Sequence, residues 1–218
     1  MSDTPGHPRR VTSAASRRVL TLAMLLGWCA LLILARAVGS GVHEFGSLAR
    51  NLLLAAVPAV AAHVLAAAHR AHRPWPVLVL AGLVWLVFLP NAPYLCTDFV
   101  HYHARPPVPL WYDTALMVSA ACTGLLLGYA SVAEVQRVVQ ERRGVAAAWT
   151  VACLALLGSG WGMYIGRALR ENSWGVVTDP VHLVRAVAAN LLDAPHHPGT
   201  LVMPAVFGTA HLLGYLGL

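Results

Sequence analysis

An all-α bundle of about six transmembrane helices is the fold class this chain predicts, and three observations carry it. Hydrophobic residues make up 58% of the sequence and charged residues only 11%, with a mean hydropathy of +0.63, far from the balance of a soluble domain. The apolar residues gather into long runs near the roughly 20 residues that a helix needs to cross a bilayer. Between those runs lie clusters of arginine, the usual punctuation of membrane topology.

Six apolar segments follow in order: Val19 to Val38, Leu48 to Ala68, Val77 to Leu95, Leu110 to Ala133, Val145 to Ile165 and Leu201 to Leu218. The second is the weakest, because Arg50, Pro58 and His63 fall inside it and alanine adds little to insertion, so a five-span count is the alternative. Residues 1 to 16 have no apolar periodicity and read as a disordered cytoplasmic tail, which leaves 17 to 218 as a single transmembrane domain. Arg17 and Arg18 before an apolar run, and Ala35-Arg36-Ala37 near its end, imitate a signal peptide with a cleavage site. Full spanning length and the further spans behind it favour an uncleaved anchor.

Net charge is +6 and every basic residue is arginine, but the positives flank apolar runs instead of forming a basic face with interleaved aromatics. Nucleic acid is therefore excluded as a partner, and the lipid bilayer is the expected one. Cys29, Cys122 and Cys153 lie within apolar runs and only Cys96 nears a boundary, so four free thiols are expected.

Arginine bias orients the bundle. Arg9, Arg10, Arg17 and Arg18 precede the first span, Arg70 and Arg73 follow the second, and Arg137, Arg142 and Arg143 lie in the connection read at 134 to 143. The positive-inside rule places these in the cytoplasm, with both termini, in a plasma (inner) membrane. The stretch entering the fourth span and the stretch leaving the fifth then share the outer side.

Leu89-Pro90-Asn91-Ala92-Pro93-Tyr94 breaks the third span. Two prolines remove amide donors where no water replaces them, so the break needs protein or a wet cavity around it, and Asn91 can donate to a freed carbonyl or accept from an amide beyond the break. The alternative is a span that ends at Leu89 in an interfacial turn. Asp98 and His101 come next, three apart and so on one face if helical, with His103 and, after a proline-rich loop, Asp113 in Trp111-Tyr112-Asp113. Asp98, His101 and Asp113 can ligate a metal, although the spacing lacks the specificity of a zinc motif. Pairing of the acids with arginine is the structural alternative.

The second polar motif is Gly158-Ser159-Gly160-Trp161-Gly162-Met163-Tyr164-Ile165-Gly166-Arg167, continuing through Arg170, Asn172, Ser173 and Trp174. Gly158, Gly162 and Gly166 recur every fourth residue, a smooth ridge for close helix approach within the bundle, in a homo-oligomer or against a partner helix. Arg167 and Arg170 share a face at its end and, with Asn172 and Ser173, form a clamp for phosphate or carboxylate or else neutralise Asp98 and Asp113. Asp179-Pro180 then starts a short helix whose stripe of Val181, Val184, Val187 or Ala188, and Leu191 suits an interfacial position in the outer 166 to 200 segment.

Leu89-Pro90-Asn91-Ala92-Pro93-Tyr94 with Thr97-Asp98, Trp111-Tyr112-Asp113, and Tyr164-Ile165-Gly166-Arg167 with Leu169-Arg170 and Asn172-Ser173-Trp174 together resemble an uncharacterised bacterial membrane family, domain of unknown function 1361. That family carries Trp in place of Glu171 and Asp in place of Gly175, which weakens any role for an acid after Trp174. The resemblance implies a polytopic membrane protein and supplies no activity or cofactor. The expected function is an outward-facing mixed-charge site of Asn91, Asp98, His101, Asp113, Arg167, Arg170, Asn172 and Trp174 that binds or transports a polar or anionic ligand. Two rivals stand beside it: a metal-assisted membrane hydrolase or transferase acting on lipid or envelope precursors, and a structural subunit docking through the glycine ridge.

Overall fold

The computed structural model describes residues 9–40, 46–101, 108–168, 178–192 and 199–218. Eight α-helices and one 3-10 helix account for them: α1 (Arg9–Ser40), α2 (Gly46–Arg70), α3 (Trp75–Phe88), α4 (Asn91–Tyr94), the 3-10 helix (Leu95–His101), α5 (Leu110–Arg143), α6 (Val145–Ala168), α7 (Pro180–Leu192) and α8 (Gly199–Leu216). Among the described residues, six spans are long and apolar enough to cross a membrane: Ser16–Gly39, Gly46–Arg70, Trp75–Phe99, Leu110–Arg143, Val145–Arg167 and Gly199–Leu216. The chain is a multi-pass membrane protein. Leu48–Ala68 is helical along its whole length despite Pro58, which is buried against the bundle.

The first helix begins at Arg9, and residues 1–8 lie outside the described residues. One stretch differs from the sequence expectation. The connection read at 134 to 143 is helix: α5 runs unbroken to Arg143 and turns into α6 at Gly144, whose φ of 87° suits glycine. Val132, Val135 and Val138 keep an apolar face buried in those turns, which holds the segment helical although its outer face is charged.

Two clusters make the core. The larger joins Leu65, Ala81, Trp85, Leu89, Val132, Val135, Ala155 and Leu156 from α2, α3, α5 and α6. Trp85 brings its indole N–H into this apolar surrounding and donates to Ser131 Oγ at 3.0 Å, while Ser131 donates to the Gly128 carbonyl at 2.7 Å. Toward the other end, Cys29, Leu32, Leu48, Leu52, Leu95, Leu116 and Ala120 pack with Phe99 and Tyr112. All four cysteines are free thiols.

The proline break lies inside the bundle, packed on protein as an unlipidated backbone requires. Ala92 and Pro93 are buried. A Cβ at Gly124 would come within 2.6 Å of the Ala92 carbonyl oxygen and one at Gly128 within 2.8 Å of the Ala92 methyl, while a Cβ at Gly162 would run into the Pro90 ring. Backbone bonding is rearranged to suit. Leu89 N–H closes α3 on Trp85 O at 2.9 Å, Ala92 N–H turns to Leu89 O at 3.1 Å, and Tyr94 N–H reaches Pro90 O at 3.2 Å. Asn91 donates from Nδ2 to Phe88 O at 3.0 Å, the first of its two expected roles. Asn91→Ala removes that donor, and a loss of about 1 kcal/mol in unfolding free energy is expected in detergent denaturation. An unchanged midpoint would show that Asn91 does not hold the break.

Short α7 begins as its Asp-Pro signature predicts, with His182 N–H donating to Asp179 Oδ1 at 3.0 Å. Its Val181, Val184 and Leu192 are exposed.

Candidate functional site

Two charge pairs, one between α1 and α5 and one between the 3-10 helix and α6, differ in kind. In the first, Arg36 from the last turns of α1 donates from Nε to Asp113 Oδ1 at 2.7 Å and from Nη2 to Oδ2 at 3.4 Å. The side chains are 3% and 2% exposed. A two-pronged, sealed contact of this sort neutralises both charges out of water, where either one alone would be costly. Neighbouring contacts fix α1 in register on α5: Tyr112 donates to the Leu32 carbonyl at 2.8 Å, and Cys29 Sγ lies 3.3 Å from Thr123 Oγ1.

In the second pair, Arg167 Nη1 lies 3.6 Å from Asp98 Oδ1, and each side chain is 15% exposed. Nη2 also donates to the Thr97 carbonyl. Asp98 is held on its other oxygen by Asn51 Nδ2 at 3.1 Å. The guanidinium carbon sits 5.9 Å from the centre of the Tyr94 ring, within cation–π range. Thr97, whose hydroxyl donates to Tyr94 O at 2.7 Å, keeps the start of the 3-10 helix wound so that its carbonyl meets Arg167. The proline break thus delivers Tyr94, Thr97 and Asp98 to one guanidinium.

Of the residues singled out from sequence, Asp98 and Arg167 meet. Asp113 does not join them; it is turned to Arg36. Asn91 serves the break through Phe88. His101 ends the 3-10 helix, but its side chain, with Arg170, Asn172 and Trp174, lies outside the described residues. No three His, Cys, Asp or Glu side chains come together as a metal would require among the described residues. Of the ligands considered for a metal, Asp98 and Asp113 each face a guanidinium, an unsuitable neighbour for a cation.

Sequence reading missed Arg36 and Asn51. Ala35-Arg36-Ala37 drew notice only as a cleavage-site mimic, yet a lone charge near the end of an apolar span demands a partner, and that signal was present. Arg50, the residue noted in the second span, is exposed, while its neighbour Asn51 turns inward to Asp98.

The glycines also sort differently from the expected ridge. Gly158 opens onto a groove of about 410 Å³ lined by Leu154, Leu157, Trp161, Leu201, Pro204 and Ala205. Close approach of α6 and α8 instead falls to Gly160 and Gly208, each pressed on the other helix's backbone. Beside them, Ser159 Oγ lies 2.6 Å from His211 Nδ1, and Tyr164 OH lies 3.2 Å from Thr200 Oγ1.

Neither the curated proteins nor the solved structures compared with this chain produced a match. One family model did, and it covers residues 50–213, so that α2 to most of α8, with both acids and Arg167, fall within it while Arg36 of α1 precedes it. On that match the chain belongs to the family described as protein of unknown function (DUF1361).

Proposed function

We propose that the Arg167–Asp98 end of the bundle faces outward from the plasma membrane and binds a polar, anionic ligand, as a permease or an accessory membrane protein would. The contrast between the two ion pairs supports this reading. Arg36–Asp113 is short, two-pronged and sealed, the geometry of a structural rivet. Arg167–Asp98 is long and partly exposed, with Asp98 anchored separately by Asn51. An incoming carboxylate or phosphate would make a shorter contact with the Arg167 guanidinium than the 3.6 Å one to Asp98, and Tyr94 would back the guanidinium. Asp98 remains hydrogen-bonded to Asn51 when the ligand displaces it, so opening the pair does not strand the acid.

Orientation rests on arginine placement. Arg70, Arg73, Arg137, Arg142 and Arg143 all lie at the other end of the helices, which the positive-inside rule assigns to the cytoplasm together with the start of α1 and the end of α8.

Thermal unfolding of the purified protein against phosphate, sulfate and short carboxylates tests the site. A ligand at about 100 times its Kd stabilises by about 2.7 kcal/mol, and Arg167→Gln is expected to abolish the shift. No shift with any anion, or a shift that survives Arg167→Gln, would remove the proposal. Cytoplasmic signals from reporters fused within residues 102–107 would remove the outward orientation.

A further inference from the structure

At the end of the bundle away from Arg167, a histidine stitches two helix ends together. Arg142 donates from Nε to His69 Nδ1 at 2.9 Å, so Nδ1 offers its lone pair, the proton sits on Nε2, and Nε2 donates to Glu141 Oε2 at 3.0 Å. His69 is neutral in this arrangement. The bridge clamps the last turn of α2 to the last turns of α5. Both adjoining corners are tight: Arg73 N–H bonds Ala68 O at 2.9 Å beyond α2, and Gly144 N–H bonds Gln140 O at 2.9 Å beyond α5.

These corners carry Arg70, Arg73, Arg142 and Arg143, all exposed. Among the described residues, the side chains of Arg70, Arg73 and Arg143 have no hydrogen-bond or ion-pair partner, and Arg142 engages His69 through Nε. The two corners thus carry four guanidiniums and, among the described residues there, the one carboxylate of Glu141.

What lies next to it identifies the partner. On α3, immediately after the Arg73 corner, Trp75, Val77, Val79, Leu80 and Leu83 are exposed. A ligand for this place must therefore carry an anion joined directly to apolar chains. The depth agrees. At 34 residues α5 is about 51 Å long, well beyond a hydrocarbon core of roughly 30 Å, so its last turns stand among headgroups. Trp75 has the amphipathic ring that settles at the same boundary.

We infer that the corner formed by Arg70, Arg73, Arg142 and Arg143 with Trp75 is a binding site for an anionic phospholipid. Its phosphate is held by the guanidiniums in two-pronged contacts, and its acyl chains run along the exposed face of α3. The His69 bridge ties the two basic corners to each other, which distinguishes a site from a diffuse positive rim.

Native mass spectrometry and thermal unfolding of the full chain, with added phosphatidylglycerol or phosphatidylcholine, test it. Wild-type protein is expected to retain phosphatidylglycerol and to unfold several degrees higher with it than with phosphatidylcholine, an effect that added salt weakens. R70Q/R73Q/R143Q should lose the difference while unfolding normally in phosphatidylcholine, and Arg185→Gln on α7 should keep it. Should the glutamine variant fail to insert, R70K/R73K/R143K preserves the topology-setting charges and is expected to hold the lipid several-fold more weakly, since an ammonium makes no two-pronged contact. Equal retention of both lipids by wild type, equal affinity in the lysine variant, or the same stabilisation by inorganic phosphate would overturn the inference.

Discussion

Arg36→Met is expected to cut the yield of folded protein severely, and Asp113→Leu to do the same. Each change leaves one ion buried in a place where its partner was 2.7 Å away and both side chains were nearly inaccessible. Removing one member of a buried pair costs about 3–5 kcal/mol, a large share of the stability of a domain of this size. The double variant removes both charges and fills the space with apolar atoms, which is often close to neutral, so it should recover most of the loss. Two single losses of about 3–5 kcal/mol with a nearly neutral double variant amount to a coupling of about 5 kcal/mol or more, and a coupling of that size in a double-mutant cycle in detergent is the signature of direct pairing. Additive losses would mean that Arg36 and Asp113 act separately.

Equally large effects are expected at the α6–α8 contact. A Cβ added at Gly160 would lie 2.6 Å from the Gly208 backbone nitrogen and would also collide with the Pro204 carbonyl; one added at Gly208 would lie 2.5 Å from the Leu157 carbonyl. Every obstacle is main chain, so no rotamer change relieves it and the helices must separate. Gly160→Ala and Gly208→Ala should each cost several kcal/mol by loss of packing along the most extensive helix pair in the bundle, together with strain on the Ser159–His211 contact beside it. Gly158→Ala is the control. Its Cβ would meet nothing within 4 Å, and the better helix propensity of alanine should leave stability unchanged or raise it by about 1 kcal/mol. Thermal midpoints in the order Gly158→Ala, wild type, then Gly160→Ala and Gly208→Ala would bear this out. A reversed order would place the helix contact on the 158, 162, 166 row instead.

Much of this was legible in the chain because lipid imposes a strong constraint on local sequence. A span must be long, apolar and internally hydrogen-bonded, so six runs of the right length announce six helices whatever packs beside them. The same constraint exposes its own violations. Pro90 and Pro93 mark a break, Asn91 supplies a donor there, and Asp179-Pro180 caps a helix, all through bonds made within a few residues. Asp98 and Arg167 could be matched as opposite charges at one end of the bundle by counting crossings.

Which charge meets which was beyond that reach. Asp113 had several arginines within topological reach, Arg36, Arg50, Arg105, Arg167, Arg170 and Arg185, and counting crossings places all of them at one end without ranking them. Azimuth decided it: rotation of α1 about its axis, set by Cys29 on Thr123 and Leu32 on Tyr112, turns Arg36 to Asp113. The glycines teach the same lesson, since a row at every fourth residue is a property of one helix, whereas Gly160 is selected by where Pro204 and Gly208 of another helix happen to lie. Local hydrogen bonding and the thickness of the bilayer are encoded residue by residue, and they determined the spans, the break and the caps. Pairing across helices depends on the relative rotation and crossing of rigid rods, a property of the assembled bundle, and only the tertiary structure decided it.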